Sequence, residues 1–326
     1  MPLFAEQPIP AGAFWTLALE AAFLLGTFYA WIVLCQRYLS GRRVLPAYEP
    51  RRLARWSGLD LLLILLFYLF LIFTVQAGAY FVEKTTGCEL LQHADAHPAA
   101  TPKQAVKTFT TEHPLAQALK EKDAIALALA VLVGVIVAPI SEELFFRMLL
   151  IGWLESAERR WRQRAGLLRR LPRGVLPIVL SSLMFASLHF RPAAPEAEPS
   201  NLIFSLCAAG IVGIVSTIFS LGWAHWQSGA TAKDLGWAGH RVWQDVATGA
   251  TAFFAIALPI FALQIDLGEY VVPKAYAPDP IPLFFLAIVL GLLYFRTHRI
   301  VPSIVVHMLL NASSLALAWS APVNSS

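Results

Sequence analysis

The chain has 326 residues, of which 57% are hydrophobic and 14% charged, and its mean hydropathy is +0.61. Soluble domains carry roughly 25% charged residues, so a water-soluble globule is excluded because too little polar surface exists to cover the apolar side chains. The net charge of +4 would admit a nucleic-acid partner, but Lys and Arg gather in short stretches beside apolar runs, which is the topology signature of a membrane protein.

Spanning ~30 Å of hydrocarbon takes about 20 helical residues. Eight apolar runs predict an all-α, polytopic transmembrane helix bundle, at 13–34, 59–81, 124–154, 175–190, 202–226, 246–267, 281–295 and 300–320. The opening MPLFAEQPIPAGAF lacks the basic region of a secretory signal, so the first run is expected to be retained. Glu20 in that run either lines a shared cavity or pairs with a neighbour. Arg37, Arg42, Arg43, Arg51, Arg52 and Arg55 follow it and predict a cytoplasmic connection. The second run leads into a long polar connection, 83–123, expected outside. Cys35 and Cys207 belong to apolar runs and Cys88 stands alone in the polar connection, so no disulfide framework or Cys-x-x-Cys site is present.

The third run is too long for one span and the fourth too short. Between them lies an Arg-rich stretch, 159–173, which reads as a cytoplasmic topology anchor or as an amphipathic helix on the membrane surface. The acidic segment 191–200 is expected outside, whereas Lys233, Arg241, Arg296 and Arg299 are expected inside, so both termini fall outside. Trp153, Trp223, Trp226 and Trp243 are expected as interface anchors.

Ionisable residues at bilayer depth are costly and generally face protein or a wet cavity. The third run contains Glu142, Glu143 and Arg147 in SEELFFR. Glu143 and Arg147 stand four apart, acid first, the favourable order for an ion pair on a helix. Glu142 lies about 100° around the helix with no such partner, which makes it the candidate general base. Pro139 removes a backbone donor just before the pair and predicts a local opening. In the fourth run Phe185 and His189 share a face, and in the last run His307 and Asn311 do. Alone, each polar residue reads equally as interhelical glue, and the acids with Arg147 as a buried pair that only locks helices. Together they suit water activation with stabilisation of an oxyanion. A proton relay in a transporter is the other catalogue of uses for intramembrane carboxylates, but no matching pair of broken helices is evident.

The ordered segments Glu142-Glu143-Leu-Phe-Phe-Arg147, Phe185-Ala-Ser-Leu-His189 and His307-Met-Leu-Leu-Asn311 resemble the CPBP intramembrane proteases, also called the CAAX protease and bacteriocin-processing, or Abi, family. The resemblance covers about 114–190 and 282–314. It implies peptide-bond hydrolysis near the membrane surface by an intramembrane endopeptidase. Glu142 would be the base, His189 and His307 the active-site imidazoles, and Asn311 an oxyanion donor, with Glu143, Arg147 and Phe185 in support. His189 and His307 could instead hold Zn²⁺, and a metal-free glutamate mechanism is equally open. The implied partners are a peptide or protein substrate, prenylated or bacteriocin-like, and the lipid bilayer, with no nucleic acid; the implied location is a bacterial plasma membrane. A non-catalytic immunity or scaffold protein of the same family is the alternative. The domain reading is an N-terminal hairpin with a long external loop over 1–121, then a protease core over 122–326 with a two-helix insertion at 201–279.

Overall fold

A computed structural model describes residues 11–50, 54–87, 124–164, 170–190, 202–237, 239–266 and 280–320, and among them all regular structure is helical. Eight helices follow in order: α1 (Ala11–Leu39), α2 (Gly58–Thr86), α3 (Ala124–Arg164), α4 (Val175–Leu188), α5 (Leu202–Ser228), α6 (Val242–Asp266), α7 (Pro280–Thr297) and α8 (Val301–Ser320). Six are long and apolar enough to cross a bilayer, with α4 and α8 as shorter apolar helices. The protein is an all-α, multi-pass membrane bundle, as composition requires. The outer faces of α1 and α2 leave Leu25, Phe28, Phe73 and Phe81 exposed, a distribution that water would penalise and hydrocarbon accepts.

Both length anomalies have structural meaning. Helix α4 has 14 residues, ~21 Å at 1.5 Å per residue, so from one bilayer face it ends inside the hydrocarbon. Helix α3 runs 41 residues, and its last part, Gly152–Arg164, carries Glu155, Glu158, Arg159, Arg160, Arg162 and Arg164. Glu158 and Arg162 pair at 2.7 Å, and Glu158 also accepts from the Gly174 backbone at 3.1 Å. The start of the Arg-rich stretch is thus a continuation of α3.

One end of the bundle is tied by a polar network. Glu49, after α1, meets Arg299 at 2.8 Å and Arg241 at 3.2 Å. Arg299 also meets Asp245 at 2.6 Å, while His298 bridges the Glu49 carbonyl at 2.6 Å and the Glu155 carboxylate at 3.2 Å. The connections after α1, before α6 and between α7 and α8 therefore gather with the polar part of α3, the four regions that charge placed on one side. Of the four tryptophans expected as interface anchors, Trp226 and Trp243 are strongly exposed, whereas Trp153 packs on Gly58 and Trp223 donates to Asp60, so these two serve helix packing. Residues 88–123 and 191–200, the segments expected on the opposite side, lie outside the described residues, as do Arg51, Arg52, Cys88 and the first ten residues.

Helix packing then fixes the register of the site. Helix α5 runs alongside α3, with Gly210 against Val133 and Gly213 against Val137. Helix α2 is capped by a Ser57/Asp60 box, and Asp60 also accepts from Trp223 of α5 at 3.0 Å. Helices α6 and α8 lie in contact along Phe253, Ala257, Val306 and Leu310. Thus α5 and α6, expected as an inserted pair, pack directly on the helices that carry the motifs. Glu20 lies exposed on α1, away from them.

The closest approach of α6 to α8 sits at Gly249, where an added Cβ would stand 2.7 Å from the Pro302 carbonyl. Helix propensity favours Gly→Ala by about 1 kcal/mol in a helix interior, but a backbone atom cannot step aside. Gly249→Ala is expected to lower the thermal midpoint in detergent, whereas Gly78→Ala, whose Cβ meets nothing within 4 Å, should keep or raise it. Equal responses would contradict this packing.

Candidate active site

Pro139 shapes the helix that carries the acids. Residues Leu132–Val137 of α3 form a wider, π-helical stretch in which Ala138 donates to the Val133 carbonyl, five residues back. The next donor would be residue 139, and proline has no N–H, so the Gly134 carbonyl loses its backbone partner. Asn311 of α8 fills that place, donating its side-chain amide to Gly134 at 2.7 Å. A second π-helical stretch, Leu144–Ile151, follows the acids. Such bulges recur at functional sites because they re-aim side chains within an otherwise regular helix.

Glu143 and Arg147 are both fully buried and pair at 3.2 Å. The sequence anticipated that pair but not its third member, since Glu143 also meets Nδ1 of His307 at 3.1 Å. Arg147 reaches Ser181 of α4 at 3.4 Å and stacks 5.1 Å from the Phe185 ring centre. Ser181 in turn donates to the Phe146 carbonyl at 3.1 Å. One buried charge centre therefore joins α3, α4 and α8.

Glu142 faces a different direction. Its Oε2 stands 3.7 Å from Nε2 of His189 and 3.8 Å from Nε2 of His307. These separations exceed a direct hydrogen bond, yet they bring the three polar atoms close enough to share one small molecule seated beside them. Nδ1 of His189 lies 2.8 Å from the Phe185 carbonyl, and a carbonyl only accepts, so that nitrogen carries a proton and neutral His189 turns a lone pair toward Glu142. His307 is fixed in the same sense by the Glu143 carboxylate. The fully buried Phe185 ring packs against both imidazoles, with centre distances of 4.4 Å to His189 and 5.9 Å to His307. Thus Glu142, His189 and His307 converge, Glu143, Arg147 and Phe185 lie immediately behind them, and Asn311 sits one turn beyond His307 with its amide already bonded to α3.

The donor chemistry of two imidazoles and a carboxylate would suit Zn²⁺. Among the described residues, however, no group of three or more His, Cys, Asp or Glu side chains stands at the spacing of a metal site.

Sequence reasoning missed Ser181, although it lies one turn before Phe185 on the same helix and was findable on that ground. It also missed Ser141, whose hydroxyl donates to the Val137 carbonyl at 2.8 Å and accepts from Thr217 of α5 at 3.0 Å. That contact depends on two helices remote in sequence.

The fold and site define a multi-pass helical membrane protein with paired glutamates, an arginine and two histidines gathered inside the bundle. Residues 124–313 match the family described as Type II CAAX prenyl endopeptidase Rce1-like, and the chain belongs to that family. No curated protein and no solved structure matches it.

Truncating Arg147 would leave Glu143 as a buried charge without its cation, which typically costs 3–5 kcal/mol. Arg147→Met should therefore destabilise strongly, and the double variant Glu143→Gln/Arg147→Met should recover much of the loss in thermal unfolding. A double variant no more stable than the single would contradict the coupling.

Proposed function

We propose that the protein is an intramembrane endopeptidase in which Glu142 activates a water that attacks a peptide carbonyl. The observation that carries this reading is the convergence of the Glu142 carboxylate with two imidazole Nε2 atoms at 3.7 and 3.8 Å, so that one water seated beside them lies within reach of all three. In the reaction Glu142 takes a proton from that water, and the hydroxide oxygen bonds to the carbonyl carbon. The resulting oxyanion accepts hydrogen bonds from neighbouring donors, for which the second N–H of the Asn311 amide is available. Collapse breaks the C–N bond, the proton held by Glu142 passes to the departing amine, and the new acid leaves as a carboxylate.

His307 serves this chemistry through the charge behind it. With Glu143 holding Nδ1, the ring keeps one orientation, and Nε2 orients the water. His189, held by the Phe185 carbonyl, closes the site from α4. The site lies inside the bundle, where donors and charges act with less competition from bulk water. The family description points to a peptide bearing a prenylated cysteine as the first substrate to test, with bacteriocin-like peptides second, and the proposed setting is a bacterial plasma membrane.

In proteoliposomes with a prenylated-cysteine peptide, Glu142→Gln should lower the cleavage rate by at least 10²-fold, the lower range for loss of a positioned general base. The wild-type rate should survive exhaustive chelation. Equal cleavage by Glu142→Gln and wild type would overturn the enzyme reading in favour of a non-catalytic membrane protein, and loss of activity on chelation would overturn the metal-free route.

A further inference from the structure

Helix α2 lies outside the family match and carries none of the motif residues, yet its register brings a phenol to the site. Its base is fixed against α3 where Gly58 meets the Trp153 ring, and the two helices run in opposite directions. Ten residues further along α2, ~15 Å, Tyr68 falls opposite residue 143 of α3. A second route gives a similar answer. Thr217 bonds Ser141 and Trp223 bonds Asp60, so residue 223 stands level with residue 147, and eight residues along α2 Tyr68 falls opposite residue 139. The two registers bracket Glu142.

Facing direction agrees with depth. Leu61 and Ile64 are buried and lie seven and four residues before Tyr68, on the same face of α2. About 100° around the helix, the Phe67 ring stacks on Phe219 of α5 at 3.7 Å and fixes the rotation of α2. The Tyr68 side chain nevertheless remains 40% exposed. A phenol level with the candidate base and still accessible stands at the edge of the reacting volume rather than within the packed core.

We infer that Tyr68 completes the site from α2, its phenolic O–H donating a hydrogen bond to the oxygen of the peptide carbonyl under attack, opposite the Asn311 amide on α8. The inference rests on the hydrolytic reading above. A phenol suits the role because it donates one directed bond and, unlike lysine or arginine, brings no fixed charge to quench Glu142. The pairing also assigns α2 a function: it forms the wall across which a peptide would lie, so that a helix outside the motif-bearing core contributes to transition-state binding.

The test compares wild type, Tyr68→Phe and Glu142→Gln in proteoliposomes with the same prenylated-cysteine peptide. Phenylalanine keeps the ring, so the thermal midpoint should stay unchanged. The expected result is a fall in kcat on the order of 100-fold, the scale for loss of one oxyanion donor, with KM within about twofold. Wild-type kcat in Tyr68→Phe while Glu142→Gln is inactive overturns the role of Tyr68 alone, as does a change confined to KM. Wild-type activity in Glu142→Gln removes the underlying hydrolytic reading and this inference with it.

Discussion

The structure depends on one buried interaction, the contact of Glu143 with Arg147 and His307. Two charges withdrawn from water are tolerated only when their geometry holds them together, and here that geometry spans three helices. Glu143 fixes α3 to α8 through His307 at 3.1 Å, and Arg147 fixes α3 to α4 through Ser181 and the Phe185 ring. Rotating any of these helices by one residue, about 100°, would strand a buried charge. The same constraint that locks the bundle therefore also aims Glu142, the adjacent residue, at the space between His189 and His307.

Adjacent glutamates thus differ in their surroundings. Glu143 is fully buried and engaged with two partners, whereas Glu142 is 28% exposed and its Oε2 has no hydrogen-bond partner among the described residues. Asn311 shows a similar division within one side chain. One amide N–H satisfies the Gly134 carbonyl that Pro139 leaves open, which in a bilayer is no minor repair, because water is not at hand to satisfy it. On the proposed mechanism the other is the one that meets the substrate.

Much of this was legible in the sequence, and the limits were physical. Length and hydropathy were enough for eight helices, because each must cover its own backbone in lipid. The Glu143–Arg147 pair was readable because i,i+4 neighbours meet on any helix. His307 as the third partner was not, since it lies 164 residues away in sequence. In a soluble bundle an amphipathic stripe would indicate the inward face; in lipid both faces of a helix are apolar, so Tyr68 and the α2 face it occupies carried no signal. The network of Glu49, Glu155, His298 and Arg299 was not legible either, because its members come from regions remote in sequence whose meeting no local spacing shows. Pro139 was recognised as a site of opening, but only the register of α8 reveals which side chain repairs it.

The central claim is that water, activated inside the bundle, is the nucleophile. Its most direct test is cleavage by the reconstituted wild-type protein in ¹⁸O-enriched water, with mass analysis of both product and protein. Hydrolysis predicts one ¹⁸O atom in the newly formed carboxylate and an unmodified protein at every time point. Product formed without the label, or a protein species carrying part of the peptide as a covalent adduct, would contradict it.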